Sequence, residues 1–209
     1  MPYVKFILPT APTQPVTLNM GMAMPSWYDI VGLDSRSNEF CEGIDESIDK
    51  ILGLLEHEVG ESADDVTTDN NTCKSSLDYS RVVLAGFSQG GALALYTGMT
   101  QHRKQQTSGL GLGAIVVMSG YLPRSKQFTV AHGSESTPIL HCHGEQDSVV
   151  PVQAAELSRA RVSSLVKEMG GDDELYKVKT YSDLDHSVSM DELNDVAAFL
   201  KSVIPPIAD

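Results

Sequence analysis

The sequence predicts an α/β fold, a mostly parallel sheet with helices on both faces, and three observations carry that prediction. Short apolar runs alternate with segments of helical periodicity along most of the 209 residues. A glycine-flanked serine, Gly86-Phe87-Ser88-Gln89-Gly90, sits where one such run passes into one such helix. An aspartate and a histidine follow, each just past the end of a later apolar run. The length suits one domain over 1–209, with enough chain to bury a core.

The elements follow in order. Tyr3–Leu8 is apolar, ends at Pro9 and reads as a strand. Thr10–Ser26 is interrupted by Pro12, Pro15 and Pro25 and reads as a long loop. That loop holds Leu18, Met20, Met22, Met24 and, just after it, Trp27. An apolar loop has two readings, core filler or an adaptable wall for a greasy ligand, because thioether side chains are flexible and polarisable. Asn38–Val59 is a helix, with Ile44, Ile48, Ile51, Leu52, Leu55 and Val59 at helical spacing and acids opposite. Glu61–Ser80 is polar and loop-like. Arg81–Ala85 is a buried strand and Gly90–Thr100 a helix of small residues. Gly113–Met118 and Pro138–His143 are strands on either side of an irregular stretch, and Val152–Met169 is a helix. Tyr176–Tyr181 alternates as a strand, and Ser189–Val203 is an amphipathic helix stopped by Pro205-Pro206.

Charge and cysteine usage exclude several functions. A formal net charge of -13 repels phosphates, so nucleic acid is not an expected partner, and it argues against docking on anionic lipid by a basic patch. At most transient membrane contact is expected. The cysteines Cys41, Cys73 and Cys142 are odd in number and widely spaced, which suggests neither a disulfide framework nor a zinc knuckle. A reducing compartment, the cytoplasm, fits them. The sequon Asn70-Asn71-Thr72 is of a kind that arises often by chance.

Gly86-Phe87-Ser88-Gln89-Gly90 is a G-x-S-x-G, a pattern that arises by chance in under roughly one chain in ten of this length. Its setting, after a strand and opening a helix, is that of the nucleophile elbow of the α/β-hydrolase fold. The sharp turn calls for tiny residues flanking Ser88. It points the helix N-terminus and the Gln89 backbone N–H at a reacting carbonyl, as an oxyanion donor. A serine hydroxyl needs a base in reach, and the chain order for this fold is serine, acid, histidine. Of the six histidines, only His186 lies in a short loop between a late strand and the last helix. Asp183 and Asp185 are too close along the chain to reach it from across a site. Asp147, in the turn after Pro138–His143, is better placed, with Glu145 as runner-up. The three candidates each follow the carboxyl end of a strand, where open α/β sheets bind ligands. His141-Cys142-His143 puts two imidazoles on one face of a strand, but no matching ligand set completes a zinc site. His57 lies on the polar face of its helix, and His102 and His132 are loop residues.

These segments resemble the acyl-protein thioesterases, also described as lysophospholipase-like carboxylesterases. The resemblance is carried by Pro15–Met20, Met24–Asp29, Gly86–Leu93, His143–Asp147 with Val150-Pro151, and Asp185–Ser187, and runs from about Tyr3 to Pro206. It implies Ser88, Asp147 and His186 as the catalytic set, and no metal or cofactor. It implies long-chain acyl thioesters on cysteines, or esters of lysophospholipids, as substrates. It also makes the segment from Leu18 to Trp27 the lining of an acyl channel. The departure is at the front, where family members carry roughly fifty more residues, within the size of a single domain. Those residues include a strand ending in His-Gly-Leu-Gly-Asp, a motif not found here. On the resemblance, that loop supplies a second oxyanion donor, and its strand lies between those matching Tyr3–Leu8 and Arg81–Ala85. Met1 is therefore expected to be an internal methionine of a longer protein.

The leading expectation is a serine hydrolase of long-chain acyl thioesters or esters working through an acyl-Ser88 intermediate. Two rivals stand beside it: a non-catalytic acyl-binding fragment without a working oxyanion hole, and a short-chain carboxylesterase. The sequence does not settle the oligomeric state.

Overall fold

The computed structural model describes residues 1–32, 39–64, 78–101 and 109–206. Four parallel strands form the sheet, β3 (Val83–Phe87), β4 (Ala114–Met118), β5 (Ile139–Gly144) and β6 (Tyr176–Tyr181), side by side in chain order. Between and around them run α1 (Ile44–Asp64), α2 (Gln89–Thr100), α3 (Gln153–Glu168) and α4 (Met190–Val203). The chain opens with an antiparallel pair, β1 (Thr13–Val16) and β2 (Met22–Pro25).

Alternation along the strands assigns the layers. Ile115, Val117, Ile139 and Tyr176 pack in one cluster with Leu95 and Met99 of α2 and Val162 and Val166 of α3. On the other face, Tyr181 donates its hydroxyl to Asp195 of α4 at 2.9 Å, and Lys179 pairs with the same carboxylate. So α2 and α3 cover one face and α4 the other, which is the expected arrangement of helices on both faces. β5 is buried along its whole length, as a central parallel strand must be, whereas β3 is half-exposed at the edge of the described sheet.

Three expectations change. Tyr3–Leu8 forms no strand, and Phe6 and Leu8 are exposed. An apolar run becomes a strand only where a neighbour completes its ladder, and no described strand lies beside it. An ion pair from Lys5 to Glu58 ties the segment to α1 instead. Thr10–Ser26 is not a plain loop, because it holds the β1–β2 ribbon, with Val16 opposite Met22 and Thr13 opposite Pro25. Prolines are tolerated there since a two-stranded ribbon consists only of edges. Finally, α1 begins at Ile44 rather than near Asn38, which lies outside the described residues. Positive φ at Cys41 and Gly43 keeps the preceding turn from being helical. Cys73, His102 and the sequon at 70–72 also lie outside the described residues.

Candidate active site

The elbow is a product of close packing. Ser88 adopts φ 54° and ψ −122°, a conformation an L-residue holds only when its surroundings over-determine it. Its N–H donates to the Met118 carbonyl, and its carbonyl accepts from Ala92 in the first turn of α2. A Cβ on Gly86 would lie 2.2 Å from the backbone of Gly90, and one on Gly91 2.8 Å from the Gly86 carbonyl. Gly90 differs from the expectation that both flanks be tiny, since a Cβ there would meet nothing nearer than Trp27 Nε1 at 3.8 Å. The residue after the motif, Gly91, carries the constraint in its place. The N–H groups of Gln89, Gly90 and Gly91, ahead of the first helical bond from Ala92, have no acceptor within the helix and are available to an anion.

The acid and base loops are held against each other. Glu145 N–H donates to Tyr181 O and Gln146 N–H to Leu184 O, at 2.9 and 3.0 Å. A Cβ on Gly144 would lie 2.1 Å from Leu184 O, so only glycine lets the end of β5 come this close to the loop carrying His186. Asp147 Oδ1 accepts from the N–H groups of Val149 and Val150, at 2.9 and 2.8 Å. Its Oδ2 accepts from His186 Nδ1 at 2.7 Å. His186 Nε2 then lies 3.0 Å from Ser88 Oγ, and the Phe87 ring packs on the imidazole at 4.8 Å. Burial by itself would raise the Asp147 carboxyl, but the hydrogen bonds from His186, Val150 and Val149 outweigh it and hold the group below its usual range. Chain order and strand ends thus point to three side chains that meet in one hydrogen-bonded line. Glu145, the runner-up acid, accepts from Thr180 instead, and Asp185 accepts from Ser187.

The apolar segment ahead of the site divides: Trp27 is half-buried against the cluster of Tyr28, Ile44 and Ala92, whereas the rest is not core filler. Met20 is 90% exposed, and Leu18, Met22 and Met24 are exposed too. The ribbon is anchored at its foot. Thr17 donates through both N–H and Oγ to Asp29, and Tyr28 is buried with its hydroxyl 2.8 Å from that of Tyr121. Sequence reasoning misses a second part for Gln89. Its amide donates to Ser26 Oγ and Tyr28 O and accepts from Trp27 N–H, at 2.9, 2.8 and 2.8 Å. The residue next to Ser88 therefore straps the ribbon to the elbow. A polar residue at the x of G-x-S-x-G, facing a segment with unpaired backbone groups, is the available signal. His141 and His143, weighed as metal ligands, are buried and bond to one another and to Tyr176.

The phospholipase/carboxylesterase family model matches residues 1–204. The chain belongs to that family. It is 38% identical over 206 residues to acyl-protein thioesterase 1 of Mycosarcoma maydis, a match covering 97% of this chain and 79% of that protein. It is 37% identical to acyl-protein thioesterase 1 of Gibberella zeae, covering 99% and 80%. Among solved structures, SOBER1 of Arabidopsis thaliana superposes with a TM-score of 0.69 at 26% identity, covering 95% of this chain and 83% of that one. These relatives bear out the resemblance and the α/β-hydrolase fold. As a member of this phospholipase/carboxylesterase family the chain is a carboxylic-ester and thioester hydrolase. Neither the family nor these relatives favours a non-catalytic acyl-binding module or a short-chain specialist.

Proposed function

We propose that the chain hydrolyses long-chain acyl thioesters on S-acylated proteins, with Ser88 as nucleophile, His186 as base and Asp147 as acid. The observation that carries this reading is the line Ser88 Oγ, His186 Nε2, His186 Nδ1, Asp147 Oδ2, with contacts of 3.0 and 2.7 Å. Asp147 Oδ2 accepts a hydrogen bond from the His186 Nδ1–H, so the proton stays on Nδ1 and the imidazole presents a bare Nε2 to the serine hydroxyl. Ser88 Oγ attacks the acyl carbonyl while Nε2 takes its proton. The C–S bond then breaks, and the imidazolium returns the proton to the leaving thiolate. Water repeats the sequence on the acyl-Ser88 ester, giving the fatty acid and free serine. The Gln89 N–H, at the start of α2, donates to the oxyanion in both halves.

The relatives' name, acyl-protein thioesterase, supports the protein-thioester substrate. Lysophospholipid esters fit the same chemistry, as the family description suggests. The exposed face of Leu18, Met20, Met22 and Met24, with Trp27 beside Gly90, is where the acyl chain would lie. No described helix is long and apolar enough to cross a membrane. A cytoplasmic location is the reading that the cysteine pattern supports.

The test is labelling of the purified protein with a fluorophosphonate probe beside Ser88→Ala, followed by rates against acyl chain length. Labelling of the wild type alone, and rates that rise from short to palmitoyl-length thioesters, are expected. Labelling that survives Ser88→Ala overturns the nucleophile, and rates that fall with chain length favour a short-chain carboxylesterase.

A further inference from the structure

Three polar side chains sit in the core beneath the acid, and the acyl transfer to Ser88 and water uses none of them. His141 and His143 are fully buried on β5, and Tyr176 is buried at the start of β6. Both histidines lie on the face covered by α2 and α3, two residues apart, and the β5–β6 register brings Tyr176 to the level of Ile139, two residues before His141 on the same face. Polar groups are costly in such a place unless each is hydrogen-bonded.

The proton positions follow from the partners. His143 Nε2 lies 2.8 Å from the Val150 carbonyl, which can only accept, so Nε2 carries the hydrogen. The same nitrogen is 3.5 Å from Asp147 Oδ2. Burial pushes the His143 imidazole down, against the pull of Val150 and Asp147, so the ring is neutral and its Nδ1 is a bare acceptor. The atom facing Nδ1, at 3.4 Å, is His141 Nε2, which must therefore donate. His141 is itself pushed down to about 3 by burial and by His143. Its Nδ1 is then bare and accepts from the Tyr176 hydroxyl at 2.9 Å. The Gly120 backbone also bonds the His141 ring, and the row runs from the Tyr176 hydroxyl through both imidazoles to the Val150 carbonyl beside Asp147.

We propose that His143, held in its tautomer by His141 and Tyr176, is a positioning residue that acts through Asp147. The inference rests on the reading of Ser88, His186 and Asp147 as the catalytic set. The Val150 peptide ties the parts together, because its N–H holds Asp147 Oδ1 while its carbonyl holds His143. The His143 Nε2–H is given to that carbonyl, and the same nitrogen lies 3.5 Å from Asp147 Oδ2, so its N–H dipole sits against the oxygen that orients His186. Without it, the Val150 peptide that holds Oδ1 loses its partner on the carbonyl side and Oδ2 loses the facing N–H dipole, so more of its negative charge falls on the base. The other groups around His186 do not substitute for this contact. Ser88 and Phe87 face it from the elbow, Glu145 is turned to Thr180, Asp183 and Asp185 flank it on its own loop, and Glu192 is buried at the start of α4.

The experiment is a set of kcat and kcat/KM profiles against pH, on a soluble acyl thioester, for the wild type, His143→Leu, His143→Gln and Ser88→Ala. His143→Leu is expected to lose about 10-fold to 100-fold in kcat with little change in KM, as misplaced catalytic groups do. Its acid limb should move to higher pH by about one unit, because a more negative acid favours the protonated base. His143→Gln keeps an N–H near the position of Nε2 and should restore both. A folded His143→Leu with wild-type kcat and profile overturns the proposal. A loss of kcat that His143→Gln does not restore, with the acid limb unmoved, assigns mere packing and overturns it too. Should His143→Leu not fold, Tyr176→Phe decides, with a smaller shift of the same sign expected and an unmoved profile against it. Turnover that persists in Ser88→Ala would instead remove the catalytic reading, whatever the His143 variants do.

Discussion

Asp147 is 6% exposed and its Oδ1 and Oδ2 accept three hydrogen bonds, two from the backbone and one from His186, while Met20, on the ribbon ahead of the site, is 90% exposed. Under the proposed function, the two regions serve one reaction on opposite terms. The ends of β3 and β5 and the loop after β6 are locked by glycines that admit no side chain, by backbone bonds between loops and by a neutral polar row beneath the acid. The ribbon is joined at its foot, through Asp29, Tyr28 and the Gln89 amide, and leaves Met20 and Met22 in water, while the Met24 sulfur accepts from the Asn19 amide. Positioning a proton transfer needs groups held within a fraction of an ångström, whereas gripping an acyl chain needs only area and adaptability.

That contrast predicts how each region fails. The largest effect is expected from Asp147→Asn, which keeps the shape of the site and removes the acceptor that sets the His186 tautomer. Steady-state assays should show kcat lower by about 10⁴-fold with the fold intact. Next comes Gly86→Ala, whose methyl would sit 2.2 Å from the Gly90 backbone. Denaturant titration should show a loss of about 3 kcal/mol, and probe labelling of Ser88 should vanish with it. A smaller effect lies in the pH dependence of stability. His141 binds its proton far less readily in the fold than in the unfolded chain, its pKa being held at about 3 against about 6.5. Stability is then full above about pH 6.5 and is lost as pH falls toward 3, by about 2 kcal/mol at pH 5 from this group. Urea titrations at pH 7 and pH 5 measure the loss, which should shrink in His141→Gln. The mildest is the triple change Met20→Ser, Met22→Ser, Met24→Ser. Thermal melting should stay within a degree or two, because exposed side chains contribute little to the core. The ratio of long-chain to short-chain rates should drop several-fold, as apolar contact with the acyl chain is lost. A ratio that does not move would detach the ribbon from substrate binding and leave the comparison without its second half.

Much of the site is legible in the sequence itself. Ser88 is marked by its glycines and by its place between strand and helix. His186 and Asp147 are marked by chain order and strand ends, because a parallel sheet delivers every such loop to one edge. The alternation over Tyr176–Tyr181 gives that strand its observed limits, and the last helix starts within one residue of its expected position, where the structure shows a capping box between Ser189 and Glu192. Tyr3–Leu8 fails for the opposite reason. Apolar composition states what a segment would bury, not whether a neighbour exists to pair with it.

Local pattern therefore determined the elements of the sheet, the elbow and the identity of the three residues at its edge, since each depends on residues near one another in the chain. Tertiary structure alone decided the rest. The Gln89 strap joins residues more than sixty positions apart, Gly144 is forced by Leu184, and the hydrogens of His141 and His143 are placed by Tyr176 and Val150 at either end of their row. A proton's place on an imidazole is set by whatever lies opposite each nitrogen, and in a parallel sheet that neighbour comes from a strand the local sequence does not name.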